Sequence, residues 1–327
     1  MTLPATIQDI RAAAARIEPW IHRTPVLTCA TLDRLAGRSL HFKCENLQRV
    51  GAFKFRGACN AVFALDDLTA APGVVTHSSG NHAQALALAA RLRGIRAQIV
   101  MPENSPQVKI DAVRGYGAAI TFCAPTQQAR ERAAAEIVQR TGGVLIPPYD
   151  HPLIIAGQGT IALELLHELP SLDAIVVPIG GGGMISGVAI AAKSLQPAIR
   201  VIGAEPAGAD DAARGKQCGA RQGPPEARTI ADGLRTGLGD LTWPVVRDLV
   251  DEIVVVEDAQ IVRAMRLVFE RMKLVIEPSA AVGVAALLDE SVVRRPGLPR
   301  VGVILCGGNV DLDALPWSAP GYGEFDD

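Results

Sequence analysis

Lys54 stands between Phe53 and Phe55, with Arg56 two residues on, in the run GAFKFRGA (51–58). An ammonium must lose its proton before its nitrogen attacks a carbonyl, and burial or a neighbouring cation each favours the neutral amine. The chemistry on offer is covalent capture of a carbonyl compound as a Schiff base. Taken alone, such a run more often marks a lysine whose stem passes two core phenylalanines on its way to water.

Other segments carry chemistry of their own. SSGNHAQ (78–84) puts two hydroxyls and an amide at what reads as a helix start, where free N–H groups face anions. Capping by Ser78 or Ser79 is the commoner reason for such a run, and His82 there is commonly a satisfied histidine. PIGGGGMISG (178–187) sets four glycines between an apolar strand and an apolar helix, a backbone able to wrap a phosphate. It is not a P-loop, because no Gly-Lys-Ser/Thr follows. Glu205, about twenty residues on, keeps a dinucleotide site open at this point. AEPAGADD (204–211) offers Glu205, Asp210 and Asp211 as oxygen ligands for Mg²⁺ or Ca²⁺, with a solvated acidic loop the more frequent explanation. In LCGGN (305–309), Cys306 ends a buried strand, facing a ligand or simply packed. Glu277, in VIEPSAA (275–281), precedes a proline in an apolar setting and needs a partner from protein or ligand.

The elements that must position these residues alternate along the chain. Helical spacing predicts helices over 7–21, 54–65, 81–94, 107–117 and 127–143, then over 159–169, 184–195, 258–274 and 279–288. Strands are predicted at 40–46, 73–78, 97–102, 118–123, 173–180, 200–206 and 300–308, with a short closing run at 143–150 and a loop over 208–229. Strands alternating with short helices imply βαβ units and parallel sheets. Two such series suggest two lobes with a ligand cleft at the carboxyl ends of their strands.

The 327 residues are 49% hydrophobic and 20% charged, which excludes a disordered or fibrous chain. A formal net charge of -2, with no basic run, gives no footprint for nucleic acid. The cysteines at 29, 44, 59, 123, 218 and 306 form no C-x-x-C pair, and no hydrophobic leader is evident, so a reducing, cytoplasmic setting is expected. The nearly uncharged stretch 174–194 contains Pro178 and four glycines, and reads as a buried strand and turn rather than a membrane span.

Taken in order, KCENLQRVGAFKFRGACNAV, HSSGNHAQAL, AGQGTIALE, VPIGGGGMISG, AEPAGADDA, TIADGL, ERMKLVIEPSAAVGVA and CGGNVDL resemble the serine/threonine dehydratase family of fold type II pyridoxal-phosphate (PLP) enzymes. Within it the chain is most similar to serine racemases, and it also resembles 3-hydroxyaspartate dehydratase. The resemblance runs from about residue 17 to 312 and implies an α/β fold of two open, twisted parallel-sheet domains with helices on both faces. Residues 1–72 and 151–327 would form the large cofactor-binding domain, and 73–150 a small mobile domain that closes over the substrate.

The resemblance also assigns residues. Lys54 becomes the Schiff-base lysine, and Asn81 the donor to the cofactor's phenolic oxygen. Gly180, Gly181, Gly182, Gly183 and Met184 hold the phosphate, and Cys306 faces the pyridine nitrogen. Ser79 matches the second acid/base of racemases, on the cofactor face opposite Lys54. Ser78, Asn81, His82, Arg130 and Thr236 match positions that hold the substrate carboxylate. Glu205, the backbone of Ala209, and Asp211 match a site for a divalent cation (Mg²⁺, Ca²⁺ or Mn²⁺). A homodimer acting on a small hydroxy amino acid is implied. Cys29 and Ala30 stand where ATP-activated racemases have serines, and Val50 where a polar residue is common, so the likeness does not extend to ATP activation. The alternatives are an NAD-binding oxidoreductase, resting on the glycine turn and Glu205, and a cofactor-free amino-acid-binding module.

Overall fold

The computed structural model describes residues 3–78, 80–105, 107–223, 226–293 and 296–318. Its strands are β1 Val26–Leu27, β2 Ser39–Lys43, β3 Val74–His77, β4 Ala97–Pro102, β5 Ala119–Cys123, β6 Val144–Leu145, β7 Ala174–Pro178, β8 Arg200–Pro206, β9 Glu252–Val256 and β10 Arg300–Ile304. They form two sheets, one ordered β1-β2-β10-β7-β8-β9 and the other β5-β4-β3-β6. Every pairing is parallel except the two-residue edge β1–β2. All five residues of β7 are buried, as expected where helices cover both faces of a sheet. The fold is therefore the α/β architecture the motifs imply.

Three helices fix the site. Those at Lys54–Phe63, Pro152–Glu168 and Gly183–Leu195 approach backbone to backbone. A Cβ on Gly157 would lie 2.6 Å from the Cα of Gly57, and one on Gly159 would lie 2.9 Å from the carbonyl of Gly187. The first residues of two of these helices are Lys54 and Gly183, so this close stack sets the lysine against the glycine turn.

The same glycines explain one difference from the sequence-based expectation. The middle helix is expected from 159, yet it starts at Pro152 and carries Gly157 and Gly159 in its interior. The stretch 208–229, expected to be a loop, contains the helix Asp211–Cys218, closed by Gly219 at φ 74°. The helix Thr242–Leu249, with Pro244 in its first turn where proline is tolerated, and strand β9 have no counterpart in the sequence-based expectation. The helix expected over 258–274 is α-helical only over Asp258–Leu267. A π turn, Val268–Met272, follows and ends on Lys273 at φ 59°. Among the described residues no helix is long and apolar enough to cross a membrane.

Candidate active site

The segment before Lys54 is stitched to the end of β10. Phe53 N–H donates to the Cys306 carbonyl at 3.0 Å, and Gly308 N–H donates to the Gly51 carbonyl at 2.9 Å. The turn itself is left-handed, with Val50 at φ 57° and Gly51 at φ 67°, a costly conformation for a β-branched residue. Lys54 Nζ donates to the Pro148 carbonyl at 2.8 Å and lies 5.1 Å from the centre of the Phe53 ring. Burial brings this amine down to about 8, against the opposing influence of Cys306 and Glu277. Arg56 contributes none of that shift. Its guanidinium is fully buried and turned away, with Nε 2.7 Å from Glu45 and Nη1 2.6 Å from Glu164. Desolvation alone activates the lysine, and the expected cation has a different task.

Across the cleft, the turn after β7 leads into the helix Gly183–Leu195, with Gly182 as its cap at φ 84°. A Cβ on Gly181 would run into the ring of Tyr149, and one on Gly182 would lie 2.8 Å from Cβ of Thr242. No side chain therefore fits on this turn, and the first N–H groups of the helix, which have no intrahelical acceptor, are left for an anion. The turn is braced from behind. Thr242 Oγ1 donates to the Gly181 carbonyl at 2.8 Å, while the Asp150 carboxylate accepts N–H groups of Asp240, Leu241 and Thr242 at 2.9, 2.9 and 3.1 Å. Neither Tyr149 nor Asp150 is legible as a site residue in the sequence, since both act through partners far along the chain.

One cleft of about 360 Å³ is lined by Lys54, Ser78, Asn81, His82, Arg130, Gly180–Gly183, Met184, Thr236, Glu277 and Cys306. Ser79 lies outside the described residues. The residues expected to hold cofactor and substrate thus face a common space, apart from that serine. Asn81 Nδ2 donates to both oxygens of Glu277, at 3.0 and 3.1 Å, so the partner that Glu277 needed is Asn81. Burial and then Asp232 raise the Glu277 carboxyl to about 7. His82 is buried, and its Nε2 lies 3.0 Å from the Ile146 carbonyl, which fixes Nε2 as the protonated nitrogen. Burial and then Lys54 pull this imidazole down to about 3, so it stays neutral. Cys306 is buried at the strand end, and burial lifts its thiol well above the ordinary range. Lys109 and Asp232, not singled out in the sequence, form an ion pair of 2.5 Å on the cleft wall.

The expected cation ligands lie outside the cleft lining. Glu205 is buried at the end of β8 and accepts the N–H groups of Ala212 and Ala213 at 3.2 and 2.8 Å, and burial raises it to about 8. Asp211 is buried beside it with Oδ2 lacking a partner, and burial raises its carboxyl too. Asp210 turns instead to Arg214 at 2.7 Å. Among the described residues no three His, Cys, Asp or Glu side chains converge as a metal cluster. The expected site, two carboxylates and the carbonyl of the buried Ala209, does not require one. Glu205 accepts backbone N–H groups and does not line the cleft, which gives no support to a ribose-binding role for it.

Residues 17–307 match the family model described as pyridoxal-phosphate dependent enzyme. The chain is 56% identical to a serine racemase of Arabidopsis thaliana, over 95% of both chains. It is 51% identical to a beta-hydroxyaspartate dehydratase of Paracoccus denitrificans, covering 96% of this chain and 99% of that one. The structure of maize serine racemase superposes with a TM-score of 0.94 at 51% identity, covering 96% of this chain and 97% of that one.

Proposed function

The chain belongs to the pyridoxal-phosphate dependent enzymes, and from that premise we propose that it racemises serine and eliminates water from L-serine and L-threonine, releasing a 2-oxo acid and ammonia. The observation that carries this reading is the shared cleft in which the Lys54 amine, the Gly180–Gly183 turn and Cys306 face one another. The residues fit the cofactor, with a desolvated amine for its aldehyde, a turn bare of Cβ atoms for its phosphate and a neutral group for its ring nitrogen. When bound, it supplies a sink for the electron pair left at Cα.

Lys54, free as a neutral amine near pH 8, takes the Cα proton on one face. Ser79 returns a proton on the other face, giving D-serine. Loss of the β-hydroxyl instead gives the elimination product. The buried Cys306 thiol stays neutral, so facing the ring nitrogen it would donate only weakly and would leave elimination competitive. The N–H groups that begin the helix Asn81–Arg93 suit the substrate carboxylate, together with Ser78, Thr236 and Arg130. The buried His82 ring, neutral and engaged with Ile146, braces that helix start. Residues 73–150 act as the closing domain, and the Lys109–Asp232 pair spans the cleft between that segment and the rest. Glu205, the Ala209 carbonyl and Asp211 hold a divalent cation, a reading supported by the unpartnered Asp211 oxygen.

A chirality and ammonia assay on Ser79→Ala tests this. Racemisation should be lost with much of the L-serine dehydration retained, whereas surviving racemisation would remove Ser79 from the mechanism.

A second reading has its own observation. Arg130 lines the cleft without a carboxylate partner among the described residues, its Nε lying 3.4 Å from the Thr126 carbonyl. A free guanidinium there suits the second carboxylate of 3-hydroxyaspartate. Comparing turnover of L-serine and the 3-hydroxyaspartate isomers before and after Arg130→Gln separates the two. A selective loss on the dicarboxylate favours the dehydratase reading, and an equal loss on both favours serine.

A further inference from the structure

Asn81 can present its nitrogen or its oxygen to the cleft, and the choice is made two hydrogen bonds away. The carbonyl of Val50 only accepts, so the side-chain nitrogen of Asn309 is the atom 2.7 Å from it. The other hydrogen of that nitrogen goes to Asn81 Oδ1 at 2.8 Å. Asn81 is left with its nitrogen toward Glu277. Inverting either amide would set oxygen against oxygen, so the network itself assigns both orientations.

We infer that Asn309 is a positioning residue, whose amide ties the left-handed turn before Lys54 to Asn81 and holds the Asn81 NH₂ toward the cofactor's phenolic oxygen. Val50, Glu277 and Asn309 lie in three separate segments: before the lysine helix, before the helix Pro278–Leu288, and after β10. Asn81 opens a helix joining two strands of the smaller sheet. The relay therefore sets the polarity of Asn81 from outside its own lobe. It also requires glycine at 51, where a Cβ would lie 2.7 Å from Asn309 Oδ1. Glu277 completes it: the Asn81 nitrogen lies 3.0 and 3.1 Å from its two oxygens, so one hydrogen shared between them leaves the other for the cleft.

The inference rests on the PLP reading of the cleft, and a cofactor titration separates the two. Apo wild type, Asn309→Asp, Asn309→Ala and Asn81→Ala are titrated with PLP by visible absorbance, and the pH profile of the bound chromophore is recorded. Asp keeps the shape of Asn but accepts where Asn donates. It should draw the Asn81 nitrogen to itself and turn an oxygen toward the cofactor. Asn309→Asp should weaken PLP by about tenfold or more and displace the chromophore's pH profile. Asn309→Ala, which only frees Asn81, should cost less. In the Asn81→Ala background either change should cost under about twofold. A residue that merely fills space gives the opposite order, with Ala worse than the isosteric Asp. That order, or additivity with Asn81→Ala, overturns the inference, and the Ala cycle alone decides it if the Asp variant does not fold. A folded wild type that takes up no PLP would instead overturn the reading of the cleft, and the inference with it.

Discussion

Nζ of Lys54 and the carbonyl oxygen of Pro148 lie 2.8 Å apart, an amine held by a neutral acceptor rather than by a carboxylate. Among the described residues no anion lies at hydrogen-bonding distance, so desolvation wins and brings the amine down to about 8. Below that pH the folded apoenzyme carries an ammonium that cannot attack, and above it a nucleophile. The rate of PLP uptake should rise about tenfold per pH unit up to about 8 and then level off. Stopped-flow absorbance reads this directly, and a rate still climbing near pH 10 would mean an ordinary, solvated lysine.

The glycine turn makes a steric prediction. In Gly181→Ala the added methyl must displace the Tyr149 ring, which lies against the turn. We expect a stability loss of about 1–3 kcal/mol from overpacking. PLP affinity should fall by about tenfold or more as the N–H groups shift. Urea unfolding and cofactor titration measure the two effects separately.

Arg56 serves the fold rather than the lysine. It is buried between Glu45, itself buried, and Glu164, and it also donates to Thr160 at 3.2 Å. Arg56→Leu strands the Glu45 carboxylate and should cost about 3–5 kcal/mol of unfolding free energy. Lys54 in that variant should keep its lowered pKa, visible as an unchanged pH profile of cofactor uptake in protein that remains folded.

The acidic pair behind β8 predicts a pH-dependent cation effect. Burial raises Glu205 to about 8, so below that pH a proton would compete with the cation proposed for this site, and binding would release it. Mg²⁺, Mn²⁺ or Ca²⁺ should raise the melting temperature more at about pH 8.5 than at about pH 6.5. Asp211→Asn should abolish the increment. An equal effect in wild type and variant would place the cation elsewhere.

Sequence and structure agree where periodicity is strong and part where glycine or proline has a tertiary role. The helix carrying Lys54 was legible from its apolar spacing, and the one carrying Asn81 from an Ala/Leu-rich run stopped by Gly94, its left-handed cap. Gly157 and Gly159 misled because their purpose is the close approach of another helix, which no local pattern records. The helices Asp211–Cys218 and Thr242–Leu249 escaped notice where glycine, proline and charge interrupt the apolar spacing. At the site, the motifs brought together Lys54, Asn81, the glycine turn and Cys306. They gave no signal for Asp150 bracing residues 240–242, or for Asn309 reaching back to Val50. Such contacts join segments about 90 and 259 residues apart and exist only once the chain has folded.

The most direct test of the account is borohydride reduction of the PLP-loaded protein followed by peptide mapping. The account predicts one stable pyridoxyl adduct, on the peptide containing Lys54, and a Lys54→Ala variant that is colourless and unlabelled. A label on another lysine, or a yellow, active Lys54→Ala protein, would contradict it.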